Sequence, residues 1–299
     1  MDYDFDLEGE HWVVWDFHLA KIDLSPLATL DEELPHYANE LLMPAKRFIV
    51  NMARVRASHD ILVAVVGLSA RHQEGEDACL LSLNGKLMYT EAQAADPDFP
   101  KQMEERVFNY VLEKYKAYRR YPALGEEQGE VDEANLHYLL AGWQSREMSV
   151  GIRAFMQTVI TGLWTAVEVL LSDVLTSVAV ANPGLFPEAI AASSFQKLET
   201  LRAAYKNCFN SSEISCAVGD QAIDGLFLAR NLFVHEMGVV EPFFRSRCKD
   251  AHLTQWANLP DGRQFPIGGK VVKCYADRNI QQALKLLSRV NDWLAKCKS

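Results

Sequence analysis

The chain has 299 residues, 49% of them hydrophobic and 10% aromatic, enough apolar surface to offset backbone ordering and to exclude an intrinsically disordered protein. Its formal net charge of −10 opposes broad electrostatic binding to nucleic acid, so any phosphate contact needs a local cationic site. No run reaches roughly 18 uninterrupted apolar residues, and the acidic opening MDYDFDLEGEH is unlike a signal peptide, so the expectation is a cytoplasmic protein with no membrane partner.

In chain order, WVVWDFHLA (12–20) is rich in β-branched and aromatic residues and reads as a strand. After Pro26, Leu34, Tyr37, Leu41, Leu42 and Phe48 recur at threes and fours, which predicts a helix from Asp31 to about Arg56 with Asp31 as its N-cap. ACLLSLNGKLMYTEA (78–92) places Asn84-Gly85 between two apolar runs, the pattern of a β-hairpin. FPKQMEERVFNYVLEKYKAYRRY (99–121) reads as a helix. Within it KYKAYRRY interleaves Lys114, Lys116, Arg119 and Arg120 with tyrosines, a composition suited to gripping phosphates and stacking bases, although cations also favour a helix C-terminus. The polar, Gly-containing stretch PALGEEQGEVDE (122–133) marks a boundary, giving an α+β N-terminal domain over 1–128 and a helical domain over 129–299.

Three long helical patterns follow: Ala134 to about Val180, with breaks expected near Gly142 or Gly151; Glu188–Cys208; and Asp220–Met237, closed by Gly238 as a C-cap. A short hairpin is expected around Gly268-Gly269, with KVVKCYA (270–276) as its second arm, and a last helix over Asp277–Lys296. The fold class is therefore mainly α: a helical bundle with a small β-hairpin, preceded by an α+β domain. Trp143 and Trp164 fall on helical patterns and are expected in the core or at a dimer interface.

The chain contains no Walker A, GxGxxG, GxSxG or HExxH motif, which removes the commonest ATPase, dehydrogenase, hydrolase and metalloprotease readings. Cys79, Cys208, Cys216, Cys248, Cys274 and Cys297 are scattered, without a CxxC pair, and are expected as buried, reduced thiols. No metal site or cofactor is expected.

Chemistry concentrates in LARNLFVHEMGVV (228–240). On a helix Asn231 and His235 share a face, and the long Arg230 side chain reaches the same space from about 100° away. Imidazole and guanidinium suit metal-free RNA cleavage: one moves protons to and from the reacting oxygens, the other neutralises the charge that builds on phosphorus. Asn231 would orient the imidazole or the phosphate. The same spacing also fits a surface arginine and a last-turn histidine that favours the helix dipole.

ARNLFVH followed by EMGVV resembles the RNxxxH signature of the HEPN family. LWTAVEVLLSDVL (163–175) followed by ANPGLFP (181–187) is similar to that family's early helix and loop, so the resemblance covers roughly residues 145–299. It implies a helical bundle that pairs two copies of the motif helix in a homodimer, and a metal-independent endoribonuclease. Arg230, Asn231 and His235 would be the catalytic set, leaving a 2′,3′-cyclic phosphate. Glu168 and Asp173 are candidates for supporting contacts, with a solvated or helix-paired carboxylate as the alternative. RNA, a second copy and a cognate antitoxin or regulatory protein are the implied partners, in toxin or anti-phage roles. Other family members are non-catalytic dimerisation or binding modules, and that is the rival expectation here.

Overall fold

The computed structural model describes residues 21–61, 146–184 and 198–298. The chain divides into two compact units, one from residues 1–60 and 149–299, the other from 61–148. Across its described residues the first unit is helical, and its one extended pairing is a single antiparallel bridge between Val239 and Gln264. The helices are α1 (Ser25–Glu33), α2 (residues 39–61), α3 (Arg146–Ala181), α4 (Leu198–Phe209), α5 (Ser212–Val218), α6 (Gln221–His235), α7 (Pro242–Asp250), α8 (Thr254–Ala257) and α9 (Gly269–Lys298).

The expected helix from Asp31 is in fact two. Pro26 sits in the first turn of α1, where its missing N–H costs nothing, and the Asp23 carboxylate accepts from the Ser25 amide at 2.9 Å. Pro35 then interrupts the chain with a 3-10 turn, Leu34–His36, and Tyr37 turns extended. Asp31 therefore lies inside α1 and is no N-cap. The next helix begins with the Ala38 amide donating to Asn291 Oδ1 of α9 at 2.8 Å.

α3 runs unbroken through Gly151, because one exposed glycine costs only about 1 kcal/mol, while Ile152, Met156, Val159, Ile160, Leu163 and Val167 are all buried. Residues 151–181 are long and apolar enough to cross a membrane, yet half of that apolar window is buried inside the protein, as in a central helix. Three polar links tie the others to it and to each other. The wholly buried Tyr205 hydroxyl of α4 donates to the Leu171 carbonyl of α3 at 2.8 Å, and burial raises its pKa well above the usual phenol range. Arg202 of α4 donates to the Val218 carbonyl at 3.0 Å and pairs with Asp224 of α6 at 2.7 Å. Arg47 of α2 meets Asp173 of α3 at 2.8 Å.

The expected hairpin at Gly268-Gly269 does not form. α9 starts at Gly269, and KVVKCYA is its first two turns. Val272, Tyr275, Ala276, Asn279, Ile280, Ala283, Leu286, Leu287, Val290 and Leu294 are buried at threes and fours, and this long 3.6-residue period overrides the strand preference of two valines. The described part of the expected α+β region, residues 21–61, is helical, and α1 packs on α9. The strand at 12–20, the hairpin at Asn84-Gly85, Trp143 and the 122–133 boundary lie outside the described residues. The cysteines also differ from expectation: Cys216, Cys274 and Cys297 are exposed and Cys208 half-buried, so of those described only Cys248 is buried, its thiol pushed up to about 12 by desolvation.

Five aromatic side chains join α6, α7, α8, α9 and the segment before α9. Phe265 meets Phe233 at 5.5 Å, Phe244 at 5.8 Å and Trp256 at 4.7 Å, all edge-to-face, and Trp256 also lies 5.1 Å from Tyr275. Tyr275 crosses α6 where Gly225 leaves room: a β-carbon there would stand 2.5 Å from the hydroxyl and 2.6 Å from Cε1. Because the ring is buried and held by Trp256, it has nowhere to retreat. Gly225→Ala is therefore expected to destabilise the protein by about 1–3 kcal/mol, overpacking outweighing the better helix propensity of alanine. Chemical denaturation measures this, and a rise in stability would show that the contact is loose.

Candidate active site

Asp220 starts the motif helix: its backbone is extended and its carboxylate accepts from the Ala222 amide at 2.8 Å. Ala222, Leu226, Ala229 and Phe233 form the buried stripe that holds α6 in the bundle. At about 100° per residue, Arg230, Val234, Asn231 and His235 then fall in sequence around the opposite arc. Arg230 and Asn231 are half-buried there, while Val234 and His235 are exposed. One turn of alternation between core and surface thus sorts the whole motif to one side.

The helix ends sharply after His235. The Leu232 carbonyl accepts from both the Glu236 and Gly238 amides at 3.0 Å, and two successive residues turn left-handed, Met237 at φ 50 and Gly238 at φ 80. The expected glycine cap is present, but a methionine shares its backbone strain and projects its side chain 79% exposed. Beyond the turn, Val240 pairs with the Arg263 carbonyl at 2.7 Å and Phe265 with the Gly238 carbonyl at 2.7 Å. These bonds pin the end of α6 to the aromatic cluster.

Arg230 Nη1 donates to Asn231 Oδ1 at 2.8 Å, so the asparagine holds the guanidinium of its neighbour. Arg230 Nε is buried without a hydrogen-bond acceptor. Among the described residues no carboxylate pairs with Arg230, whereas Arg245 meets Asp261 at 3.0 Å and Arg247 meets Glu199 at 3.1 Å. The structure therefore brings Arg230 and Asn231 into contact and leaves His235 on the same arc, one helical turn from Asn231.

Asp173 pairs with Arg47, and Glu168 is half-buried on the same helix. Gln157 packs at Gly238, and Asp173 lies 16 residues further along α3, about 24 Å by helical rise. Trp164 is buried and meets Phe227 of α6 in a tilted contact at 5.1 Å, a core role. Lys114, Lys116, Arg119 and Arg120 lie outside the described residues. No group of three or more His, Cys, Asp and Glu able to hold a metal occurs among the described residues. Two surface hollows lie away from the motif, one lined by Met43, Thr176 and Val180, the other by Tyr37, Gln281 and Lys285.

No protein-family model, curated protein or solved structure matches the chain.

Two features of the site escaped the sequence. Val234 within the motif and Met237 just after it are large apolar side chains left exposed, as is Phe243 at the start of α7, 71% exposed. Glu241, which the sequence separates from Glu236 by a whole turn, is brought beside it, and the Glu236 carboxylate raises the Glu241 pKa above its usual 4.5. A carboxyl whose folded pKa is raised holds its proton more tightly folded than unfolded, so the pair costs stability above that pKa and the cost fades as pH falls. Glu241→Gln is expected to raise the melting temperature at neutral pH, with the gain vanishing below the ordinary carboxylate range. An equal gain at acid pH would show that the effect is not electrostatic.

Proposed function

We propose that the chain is a metal-independent endoribonuclease of the HEPN type, working as a homodimer. The observation that carries this reading is the Arg230–Asn231 hydrogen bond on the same solvent-facing arc as the exposed His235. In the proposed reaction the ribose 2′-oxygen attacks phosphorus while imidazole removes its proton. The bond to the 5′-oxygen breaks, and a protonated imidazole returns a proton to that leaving oxygen. A 2′,3′-cyclic phosphate and a 5′-hydroxyl result. The Arg230 guanidinium neutralises the charge on the pentacoordinate phosphorus.

Excluding water from the motif needs a second surface, and the exposed Val234 between Arg230 and Asn231 on the arc, with the exposed Met237 after the turn, supplies apolar contact for one. In a two-fold dimer each copy presents the same patch to the other, so two motif sets meet at one interface. The biological role this implies is a cytoplasmic toxin or anti-phage enzyme restrained by a cognate antitoxin or regulatory protein. The Glu236–Glu241 pair favours a second reading, a dimerisation or protein-binding module without cleavage, since two carboxylates beside the histidine repel phosphate.

Purified protein incubated with total RNA is expected to cleave it equally with and without EDTA, and His235→Ala and Arg230→Ala are each expected to lower the rate at least 100-fold with little change in melting temperature. Wild-type rates in both variants, or activity that EDTA abolishes and magnesium restores, would overturn the assignment. Light scattering is expected to give twice the chain mass, and Val234→Glu to give monomers that no longer cut. A wild-type monomer at micromolar concentration would remove the composite site and leave the binding-module reading.

A further inference from the structure

α2 and α3 lie side by side in opposite directions. Met43 shares a surface hollow with Thr176 and Val180, Arg47 pairs with Asp173, and Val55 stands 3.1 Å from where a β-carbon of Gly162 would be. At about 100° per residue, Leu41, Ala45, Phe48 and Met52 of α2 turn to the core, while Met43, Val50 and Ala57 fall together on the solvent side. Met43 is 64% exposed, Val50 47% and, on α3, Val180 76%. The solvent side of α3 runs through Ala154, Thr158, Thr165, Val169 and Thr176, none of them charged. Thr158, Thr165 and Thr176 donate their hydroxyls to the carbonyls four residues back, at 3.0, 3.0 and 2.9 Å, so these groups need no outside partner. The two helices therefore border a groove whose exposed side chains are largely apolar, the mark of a contact surface.

We propose that this groove takes an amphipathic α-helix of a partner polypeptide, with the edge of that helix along α2 acidic. The proposal is independent of the ribonuclease reading, because the groove is built by α2 and α3 and the motif lies on α6. From Thr158 to Val180 the face runs about 33 Å by helical rise, so it matches a helix of about 22 residues. Side chains at threes and fours on such a helix form the ridge that fills a groove between two others. A second copy would lay one groove on another. Faces that enter a bilayer surface carry Trp, Phe and Leu, whereas this one is largely threonine, alanine and valine. Charge fixes the chemistry of the occupant. Lys46 and Arg54 are exposed along the α2 side, and neither has an ion-pair partner among the described residues, while Arg47 and Asp173 cancel each other. Glu168, half-buried, falls on the far edge of α3. The carboxylates of the occupant therefore belong beside α2, where pairing sets its orientation and selectivity.

The test selects a displayed library of helices on the full chain, each about 22 residues long, with Leu, Ile or Val at heptad positions a and d and Glu or Lys at e and g. Glu is expected to be enriched along one edge. Binding of the best selected peptide, followed by fluorescence anisotropy, is expected to weaken about tenfold or more in Val50→Glu and in Thr165→Arg, since each puts an unpaired charge into the groove. Both positions are exposed, so the melting temperature is expected to hold. Lys46→Glu combined with Arg54→Glu is expected to reverse the selection from Glu to Lys, a result that loss of fold cannot produce. No enrichment, enrichment without a charge bias on either edge, or binding unaltered by both groove variants would overturn the proposal. Two other outcomes would overturn it by naming a different occupant. Co-sedimentation with phosphatidylglycerol–phosphatidylcholine vesicles that Val50→Glu abolishes, with no peptide bound, would make the face a lipid surface. A rise in mass with concentration that Val50→Glu removes, again with no peptide bound, would make it a contact between copies.

Discussion

The Phe265 ring is the fixed point of the site. Three aromatic neighbours meet it edge-to-face, an arrangement that gains about 0.5–1.5 kcal/mol per pair beyond the area buried. To place Phe265 against Phe233, the chain must leave α6, build α7 and α8, and return antiparallel to its own start. That return is the Val239–Gln264 bridge with its flanking amide bonds. A helix that continued past His235 would move Gly238 and Val240 out of register with residues 262–265. The strained backbone at Met237 is therefore compensated by the cluster behind it. His235 owes its place in the last helical turn to packing some distance from any chemistry.

The same constraint explains what was legible in the sequence. Long elements with a clear apolar period, α3, α6 and most of α9, could be read, because many buried residues vote for one face. Asp220 and Gly238 were readable as punctuation, since each offers a side chain or backbone freedom that the helix end needs. Short elements were not: α5, α7 and α8 span 7, 9 and 4 residues, too few for periodicity to separate them from loops, and they are held by tertiary contacts such as Phe244 on Trp256. The Gly268-Gly269 pair misled because a glycine before β-branched residues signals a turn locally. The deciding information, the buried stripe from Val272 to Leu294, lies downstream. Pro35 misled in the opposite sense, as the apolar spacing continues across it while the backbone does not. At the site, the sequence placed Asn231 and His235 on one face. Only coordinates could show that Asn231 bonds to Arg230, or that Glu241 returns to Glu236.

Ion pairs neutralise part of this protein's positive charge locally. Arg245 and Arg247 of α7 have carboxylate partners, at exposures where each pair contributes little to stability. What such pairing does change is the field, since a neutralised arginine attracts no distant anion. Arg230 differs. Its anchor is the carboxamide of Asn231, which accepts a hydrogen bond without cancelling the charge. An aspartate at 231 would hold the guanidinium more strongly, through a charge-assisted bond, and would leave a neutral pair. A carbonyl oxygen fixes the orientation and leaves the full positive charge on a solvent-facing arc of a chain whose net charge is −10. In an acidic protein an uncompensated guanidinium is a place where an anion can be held, and the buried Arg230 Nε–H without an acceptor shows that its hydrogen-bonding capacity is not satisfied within the monomer.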